Sequence, residues 1–219
     1  MLHQHLWEIN QDLAQACLDH PFVRGLADGD LDAAVFRRYV AQDAFFLRAF
    51  VRAYALAAAK CETLEHTRQF YRFMGGGLEE LELHARYAAS LAIDLTAVGP
   101  LPPVRAYTDF LLRVAWSRGI DEILAAMTPC MRLYAWLGQR LAPRQRADHP
   151  YQDWIATYSG AAFEELAAAI ERLLDELARD TAEVSDAYRY AMFCEQAFFS
   201  APSPAPSSSS CCQTSLAGG

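Results

Sequence analysis

The sequence predicts an all-α fold, a helical bundle in a single domain, and three observations support that class. Nearly every long segment repeats its apolar residues at steps of three and four, which is the helical period. Alternation of apolar and polar residues over several positions, which would indicate a half-buried strand, is absent from the sequence. The strong helix formers Ala, Leu, Arg and Glu dominate the composition. With 219 residues, 53% of them hydrophobic, the chain can also bury one substantial core.

Proline and glycine signals divide the chain into a series of predicted helices. The first covers residues 2–18 and is followed by Pro21, which keeps the preceding residue out of the α region. A turn then precedes a long helix, which Asp30 or Asp32 is expected to cap and which runs to about Cys61. The remaining predicted helices cover residues 63–92, 104–117, 120–141, 150–178 and 182–199.

Two of these helices contain residues that disfavour helical structure. Glycines occupy positions 75–77, and three glycines in a helix cost about 3 kcal/mol relative to alanine. A kink or a closely packed neighbour is therefore expected there. Pro129 lacks a backbone donor and predicts a kink near Cys130.

The composition changes abruptly at Ala201. Residues 201–219 are rich in Pro, Ser, Ala and Gly and nearly devoid of large apolar side chains, so they cannot offset their ordering entropy. We therefore predict a folded domain over 1–200 and a disordered tail over 201–219, whose Cys211 and Cys212 take no part in the chemistry.

Charge and cysteine usage exclude several classes of protein. The net charge is −8 and no basic stripe is visible, which argues against a nucleic-acid partner and against an anionic membrane surface. The sequence lacks an apolar run of about 18 residues and a signal-peptide pattern, so no membrane partner is expected. The six cysteines show no metal-ligand spacing, and free thiols in a reducing cytoplasmic compartment are expected.

Ionisable groups inside apolar helical stripes are the candidates for chemistry. Asp43 shares a predicted helix face with Tyr39 and Phe46, where a carboxylate is desolvated unless it is paired. It either forms an ion pair with an arginine of the same helix or points into a pocket at a cationic or amino-bearing ligand. Glu195 lies among apolar residues of the last predicted helix, and a buried glutamate tends to have a raised pKa.

Cys130 follows Pro129, and Tyr134 lies one turn later on the same helix face. Taken alone, this placement is weak evidence for a nucleophile, because a lone cysteine on an apolar helix is usually a small buried hydrophobe. The evidence for a functional site is stronger because several helices each contribute one such group, as an internal site in a bundle requires.

Seven stretches that occur in order along residues 20–199 resemble the TenA family, the bacterial thiaminase II or aminopyrimidine aminohydrolase enzymes of thiamin salvage. They are HPF at 20–22, GDLDAAVFRRYVAQD at 29–43, ELELHARY at 80–87, YTDFLL at 107–112, AAMTPCMRLYAWLG at 125–138, YQDWIATYSG at 151–160 and EQAFF at 195–199. The chain resembles the branch that keeps a catalytic cysteine. The resemblance implies a haem-oxygenase-like bundle that forms a homotetramer, binds a 4-amino-2-methylpyrimidine and uses no cofactor or metal.

The resemblance also implies roles for individual residues. Cys130 is implied as the nucleophile, Glu195 as the acid that protonates the ring, and Asp43 as the carboxylate that grips the amino-pyrimidine edge. The implied pocket walls are Tyr107, Tyr134, Tyr158 and Phe198. The chain departs from the family at Phe46, where a tyrosine commonly helps to organise the nucleophile. The missing hydroxyl would leave fewer hydrogen bonds for the thiolate.

These roles agree with elementary chemistry. Addition of a thiolate to ring carbon C6, with protonation of a ring nitrogen, drives the exocyclic leaving group out. Water then adds to the methylene and the thiol is released. Such covalent catalysis needs one thiolate, one acid matched to the ring nitrogen and one orienting carboxylate.

Two alternatives remain open from the sequence. A metal- or haem-dependent oxidase on the same fold would need Glu-x-x-His pairs, and the nearest approach, Glu80 with His84, is one residue too far apart. A non-enzymatic pyrimidine-binding or regulatory protein would carry an inert Cys130. A lowered thiol pKa and fast alkylation near neutral pH would favour the enzyme.

Overall fold

Ten helices and no strand make up the regular structure in the described part of the chain, which confirms the predicted all-α class. The computed structural model describes residues 1–90, 97–144 and 148–203, apart from the side chains of residues 83, 84, 86, 87, 89 and 90. The helices are α1 Leu2–Glu8, α2 Gln11–Leu18, α3 Pro21–Asp28, α4 Ala33–Lys60, α5 Leu64–Ser90, α6 Pro102–Ser117, α7 Ile120–Leu141, α8 Gln152–Ser159, α9 Ala161–Leu177 and α10 Ala182–Ser200. The His84 side chain, and the predicted tail beyond residue 203, lie outside the described residues.

Local sequence signals set the entry into α4. The Asp32 carboxylate accepts a hydrogen bond from the Ala34 amide at 2.6 Å, so Asp32 rather than Asp30 is the N-cap. Gly29 ends α3 with φ of 74°, and a β-carbon at this position would lie 2.7 Å from that of His149. Only glycine fits both the left-handed backbone and this close approach.

Two predicted helices are each divided in the structure. The segment 2–18 separates into α1 and α2, because the buried Asn10 side chain donates to the Leu6 carbonyl at 2.8 Å and competes with helical continuation. The segment 150–178 separates into α8 and α9 at Gly160, which adopts an extended conformation. These two predictions of single helices were wrong.

The glycine run leaves α5 uninterrupted, and its members differ in their surroundings. A β-carbon at Gly77 would lie 2.8 Å from a methyl group of Val51, so this glycine lets α5 approach α4 closely. A β-carbon at Gly75 or Gly76 would meet no described atom within 4 Å. The predicted close neighbour therefore exists for one of the three glycines. Helix α7 likewise runs continuously through Pro129.

The helices that carry the candidate residues pack against one another. Helix α6 contacts α4, α7 and α10, and α7 contacts α4, α8, α9 and α10, while α4 also packs along α5. Asp43 lies on α4, Tyr107 on α6, Cys130 on α7 and Glu195 on α10. The bundle thus directs one polar group from each of four helices towards a shared interior. None of the described helices combines the length and apolarity that crossing a bilayer demands.

Candidate active site

Side chains from α6, α7 and α10 contact one another at Glu195. The Tyr107 hydroxyl donates to its Oε1 at 2.6 Å, and the Cys130 thiol donates to the same carboxyl group. Glu195 and Tyr107 are 1% and 0% exposed, so both are withdrawn from water. Three of the residues predicted from the sequence therefore form one hydrogen-bonded cluster, which we call the Glu195 cluster.

Burial makes the Glu195 carboxyl group a weak acid. Desolvation raises its pKa from 4.5 to about 8, against the lowering effect of the hydrogen bonds from Tyr107 and Cys130, and the Asp43 charge raises it further. At neutral pH the group therefore holds its proton in most molecules. A carboxylic acid in this state can donate a proton to a bound base.

The Cys130 thiol shows the opposite pKa shift from the one expected of an exposed reactive cysteine. Burial raises its pKa well above 9.0, and the charges of Glu195, Asp43 and Glu80 raise it further. Low dielectric and neighbouring carboxylates both disfavour the thiolate. Cys130 is therefore a neutral thiol, and Glu195 can take its proton only as it gives up its own.

Asp43 approaches the Glu195 cluster from α4. The residue is 5% exposed, and burial raises the pKa of its carboxyl group to about 7. Its charge acts on Glu195, Cys130 and Tyr134, which places all four groups within electrostatic reach of one another. Two buried carboxyl groups with pKa values near neutrality are unusual and are typical of functional sites.

Aromatic rings enclose these polar groups. The Phe46 ring centroid lies 4.9 Å from that of Tyr107 and 5.8 Å from that of Phe198. The Tyr134 ring lies 4.8 Å from Tyr158. All the predicted wall residues are buried, so the structure places them around the same interior region.

Gly138 explains how Tyr158 reaches Tyr134. A β-carbon at Gly138 would overlap the backbone of Tyr158 and Ser159, so only glycine allows the end of α8 to pack on α7 at this point. Tyr134 lies one turn before Gly138 on α7. This close approach therefore fixes the distance between the two tyrosine rings.

A second series of hydrogen-bonded side chains lies beside the cluster and was not predicted from the sequence. Trp154 donates through Nε1 to the Tyr39 hydroxyl at 3.3 Å, and Tyr39 donates to the Tyr134 hydroxyl at 3.3 Å. Tyr158 donates to Glu80 Oε1 at 3.2 Å. The sequence signal for Tyr39 was its position on the same apolar helix face as Asp43. Glu80 was considered only together with His84, as a possible metal-binding pair.

A cavity of about 400 Å³, a volume suited to a small ligand, lies between residues of α4, α5, α7, α8 and α9. Among the residues predicted for the site, Tyr158 lines this cavity. Tyr39 and Met131 also line it, and they neighbour Asp43 and Cys130 along α4 and α7. Cys130, Glu195, Asp43 and Tyr107 are not among its described lining residues, so the structure brings them together beside one another and not on the cavity wall.

The described residues hold no group of three His, Cys, Asp or Glu side chains arranged to bind a metal ion. The predicted absence of a metal stays a prediction.

Comparison with known proteins identifies the family. Residues 3–196 match the profile of the TENA/THI-4/PQQC family. The chain belongs to the TENA/THI-4/PQQC family. Two curated members, each named aminopyrimidine aminohydrolase, are 34% identical to it. The protein of Halalkalibacterium halodurans aligns over 80% of this chain and 80% of its own length, and that of Bacillus subtilis over 75% and 71%.

Solved structures of the TENA/THI-4/PQQC family share the fold. A TenA family transcription regulator from Silicibacter sp. TM1040 superimposes with a TM-score of 0.86 at 28% identity, covering 92% of this chain and 96% of its own. A TenA homologue from Pyrococcus furiosus gives a TM-score of 0.87 at 22% identity, covering 93% of this chain and 100% of its own, which supports the fold alone. The expected fold and family are therefore confirmed.

Proposed function

We propose that this chain is an aminopyrimidine aminohydrolase of thiamin salvage. It hydrolyses aminomethyl-aminopyrimidine to hydroxymethyl-aminopyrimidine, and thiamin to the same pyrimidine and a thiazole, through a covalent Cys130 adduct. The single observation that carries the proposal is the hydrogen-bonded contact of Cys130, Glu195 and Tyr107 inside the bundle. Relatives named aminopyrimidine aminohydrolase support the hydrolase assignment.

The hydrogen bond between Cys130 and Glu195 allows a balanced first step. As the sulfur bonds to ring carbon C6, the thiol proton passes to Glu195, and Glu195 supplies a proton to a ring nitrogen. The negative charge never rests on a free thiolate, which burial would make unfavourable. The raised pKa of Cys130 is therefore compatible with nucleophilic catalysis when the acid is in direct contact with it.

The later steps regenerate the same protonation state. The exocyclic group leaves with its bonding electron pair, as ammonia from the protonated amine or as a neutral thiazole. Water adds to the methylene and loses a proton, the C–S bond breaks, and Cys130 recovers a proton through Glu195. Tyr107 holds the Glu195 carboxyl group in one orientation throughout.

Asp43 serves as the orienting carboxylate. An ionised carboxylate accepts hydrogen bonds from the exocyclic amino group of the ring, and with a pKa of about 7 Asp43 ionises readily once such donors bind. The aromatic residues around it provide the flat apolar walls that a pyrimidine requires.

A second candidate is a pyrimidine-binding regulatory protein. The specific observation in its favour is the raised pKa of the Cys130 thiol, which is typical of an inert buried cysteine. This candidate predicts pyrimidine binding without turnover.

We also propose the assembly and the compartment that the family resemblance implies. A homotetramer would cover exposed large apolar side chains such as Trp116, which is 71% exposed. The four described cysteines are free, as expected in the reducing cytoplasm. The folded domain is proposed to span 1–200, followed by a tail over 201–219.

Product analysis tests the proposed function. The purified protein is incubated separately with aminomethyl-aminopyrimidine and with thiamin, and the products are quantified by liquid chromatography and mass spectrometry. The expected result is hydroxymethyl-aminopyrimidine in equal amount to the ammonia or thiazole released. Binding of the pyrimidine by calorimetry without any product would contradict the enzyme and support the regulatory protein.

A further inference from the structure

One face of α5 lines the cavity without a part in the proposed chemistry. Gly76 and Glu80 are four residues apart on this helix, which places them one above the other on one face. Both line the cavity of about 400 Å³. Tyr158 and Trp154 of α8 also line it.

Helix packing does not explain the glycine at position 76. Glycine in a helix interior is less favourable than alanine, so it needs a reason. Gly77 has one in the close approach of Val51, but a β-carbon at Gly76 would meet no described atom within 4 Å. The space above Gly76 belongs to the cavity, and the missing side chain enlarges it.

Glu80 brings negative charge to this cavity close to the nucleophile. Its carboxylate accepts the hydrogen bond from Tyr158 at 3.2 Å, and its charge acts on Cys130 and on Tyr54. The described lining also includes the carboxylate of Glu79 and contains no lysine or arginine. The cavity therefore favours a cationic occupant near Glu80.

We infer that the α5 face of Gly76 and Glu80 is the subsite for the leaving group of the substrate. The inference rests on the proposed function. The two leaving groups are both attached as cations, one a protonated aminomethyl nitrogen and the other a thiazolium ring. Gly76 provides the room for the larger group, and the Glu80 carboxylate attracts the positive charge of either.

The change in charge on the leaving group during the reaction determines which kinetic constant a Glu80 substitution alters. The positive charge on the leaving nitrogen is lost as the bonding pair departs, so Glu80 stabilises the bound substrate at least as well as the transition state. An interaction of that kind lowers KM without raising kcat. Glu80 is thus a binding residue for the cationic leaving group of either substrate rather than a catalytic one.

Glu80→Gln tests the electrostatic half of the inference, with Glu82→Gln on the exposed side of α5 as the matched control. Steady-state kinetics on both substrates are compared with the affinity of hydroxymethyl-aminopyrimidine, which lacks the cationic group. The expected result for Glu80→Gln is a rise of roughly 10-fold in both KM values, typical of losing a charged partner, with kcat and product affinity unchanged. The Glu82→Gln variant should match the wild-type protein. A loss of product affinity equal to the rise in KM would overturn the inference, because Glu80 would then act on the pyrimidine.

Gly76→Ala tests the steric half, with Gly75→Ala as the control. Both glycines have open surroundings and gain the same helix propensity, but only Gly76 is among the described lining residues of the cavity. Gly76→Ala should raise KM for thiamin roughly 10-fold and change that for aminomethyl-aminopyrimidine far less, as for one methyl group inserted into a pocket. Equal behaviour of the two variants would overturn the steric role.

Absence of turnover in the wild-type protein would refute the proposed function together with this inference. Intact turnover in the wild-type protein, with Glu80→Gln and Gly76→Ala behaving like their control variants, would refute the inference alone.

Discussion

Asp43 and Glu195 show how two buried carboxyl groups can take different roles. Burial raises the pKa of Asp43 to about 7 and that of Glu195 to about 8. Glu195 accepts hydrogen bonds from Tyr107 and Cys130 and so lies beside the nucleophile, whereas Asp43 acts on this cluster from α4. These positions match an acid that protonates a ring and a carboxylate that grips an amino group.

Asp43→Asn keeps the size of the side chain and removes its charge. Turnover and substrate affinity should both fall, together worth about 2–4 kcal/mol in kcat/KM, because a charged hydrogen-bond partner is lost from a dry site. Steady-state kinetics on aminomethyl-aminopyrimidine measure the effect. Unchanged KM and kcat would assign Asp43 to a structural role.

Phe46→Tyr adds the hydroxyl that the family resemblance leads us to expect at this position. A hydroxyl that reaches Cys130 would stabilise the thiolate, lower the thiol pKa, speed alkylation by iodoacetamide at neutral pH and raise kcat. The Phe46 ring is packed against Tyr107 and Phe50, so the added oxygen also carries an overpacking cost of about 1–3 kcal/mol. The test is the pH profile of inactivation. A folded variant with an unchanged profile would show that another group already performs this task.

Local sequence could predict which side chains converge, but not how they ionise. The apolar stripe marked Asp43 and Glu195, and the family motifs added Cys130 and Tyr107. The raised pKa of the Cys130 thiol depends first on its burial and then on carboxylates from three other helices, α4, α5 and α10, which no local pattern specifies. Glu80 was overlooked for the same reason, since its importance comes from a cavity that forms between helices.

Some helix boundaries could be predicted from local sequence, and others depend on contacts made in the folded protein. The start of α4 was predictable because Asp32 caps it through a local hydrogen bond. The break before α2 depends on burial of Asn10, and the continuity of α5 through the glycine run depends on its packing along α4. Helix propensity alone predicts neither outcome.

The contact between α7 and α8 can be tested through Gly138. In Gly138→Ala the new methyl group would overlap the backbone at Tyr158 and Ser159, so the two helices must separate. We expect a loss of at least about 1–3 kcal/mol in the free energy of unfolding, as in overpacked cores. Urea denaturation measures it. Gly75→Ala serves as the control, and equal stability of the two variants would show that α8 does not need this close approach.

The stability of the whole molecule should depend on pH through the two buried carboxyl groups. In the unfolded chain Asp43 and Glu195 ionise near their ordinary values of 3.8 and 4.5, and in the folded protein near 7 and 8. Between about pH 4 and pH 8 the folded state therefore binds more protons than the unfolded state. The contribution of these groups to stability falls as the pH rises through that window.

The double variant Asp43→Asn/Glu195→Gln isolates this contribution. Thermal unfolding midpoints are compared between pH 5 and pH 8.5 for the variant and the wild-type protein. The wild-type midpoint should fall more steeply with rising pH than that of the variant, because the variant has lost both titrating groups. Parallel pH profiles would show that the two groups are not desolvated in the folded protein.

Cys130 is proposed as the nucleophile, and the turnover of Cys130→Ala tests that role. Cys61→Ala, a half-buried free cysteine near the end of α4, is the matched control. Circular dichroism and calorimetric binding of hydroxymethyl-aminopyrimidine establish that both variants are folded with an intact pocket. We expect Cys130→Ala to lose several orders of magnitude in kcat, as removal of a covalent nucleophile demands, while Cys61→Ala retains wild-type turnover. Near-normal turnover in a folded Cys130→Ala protein would contradict the covalent mechanism.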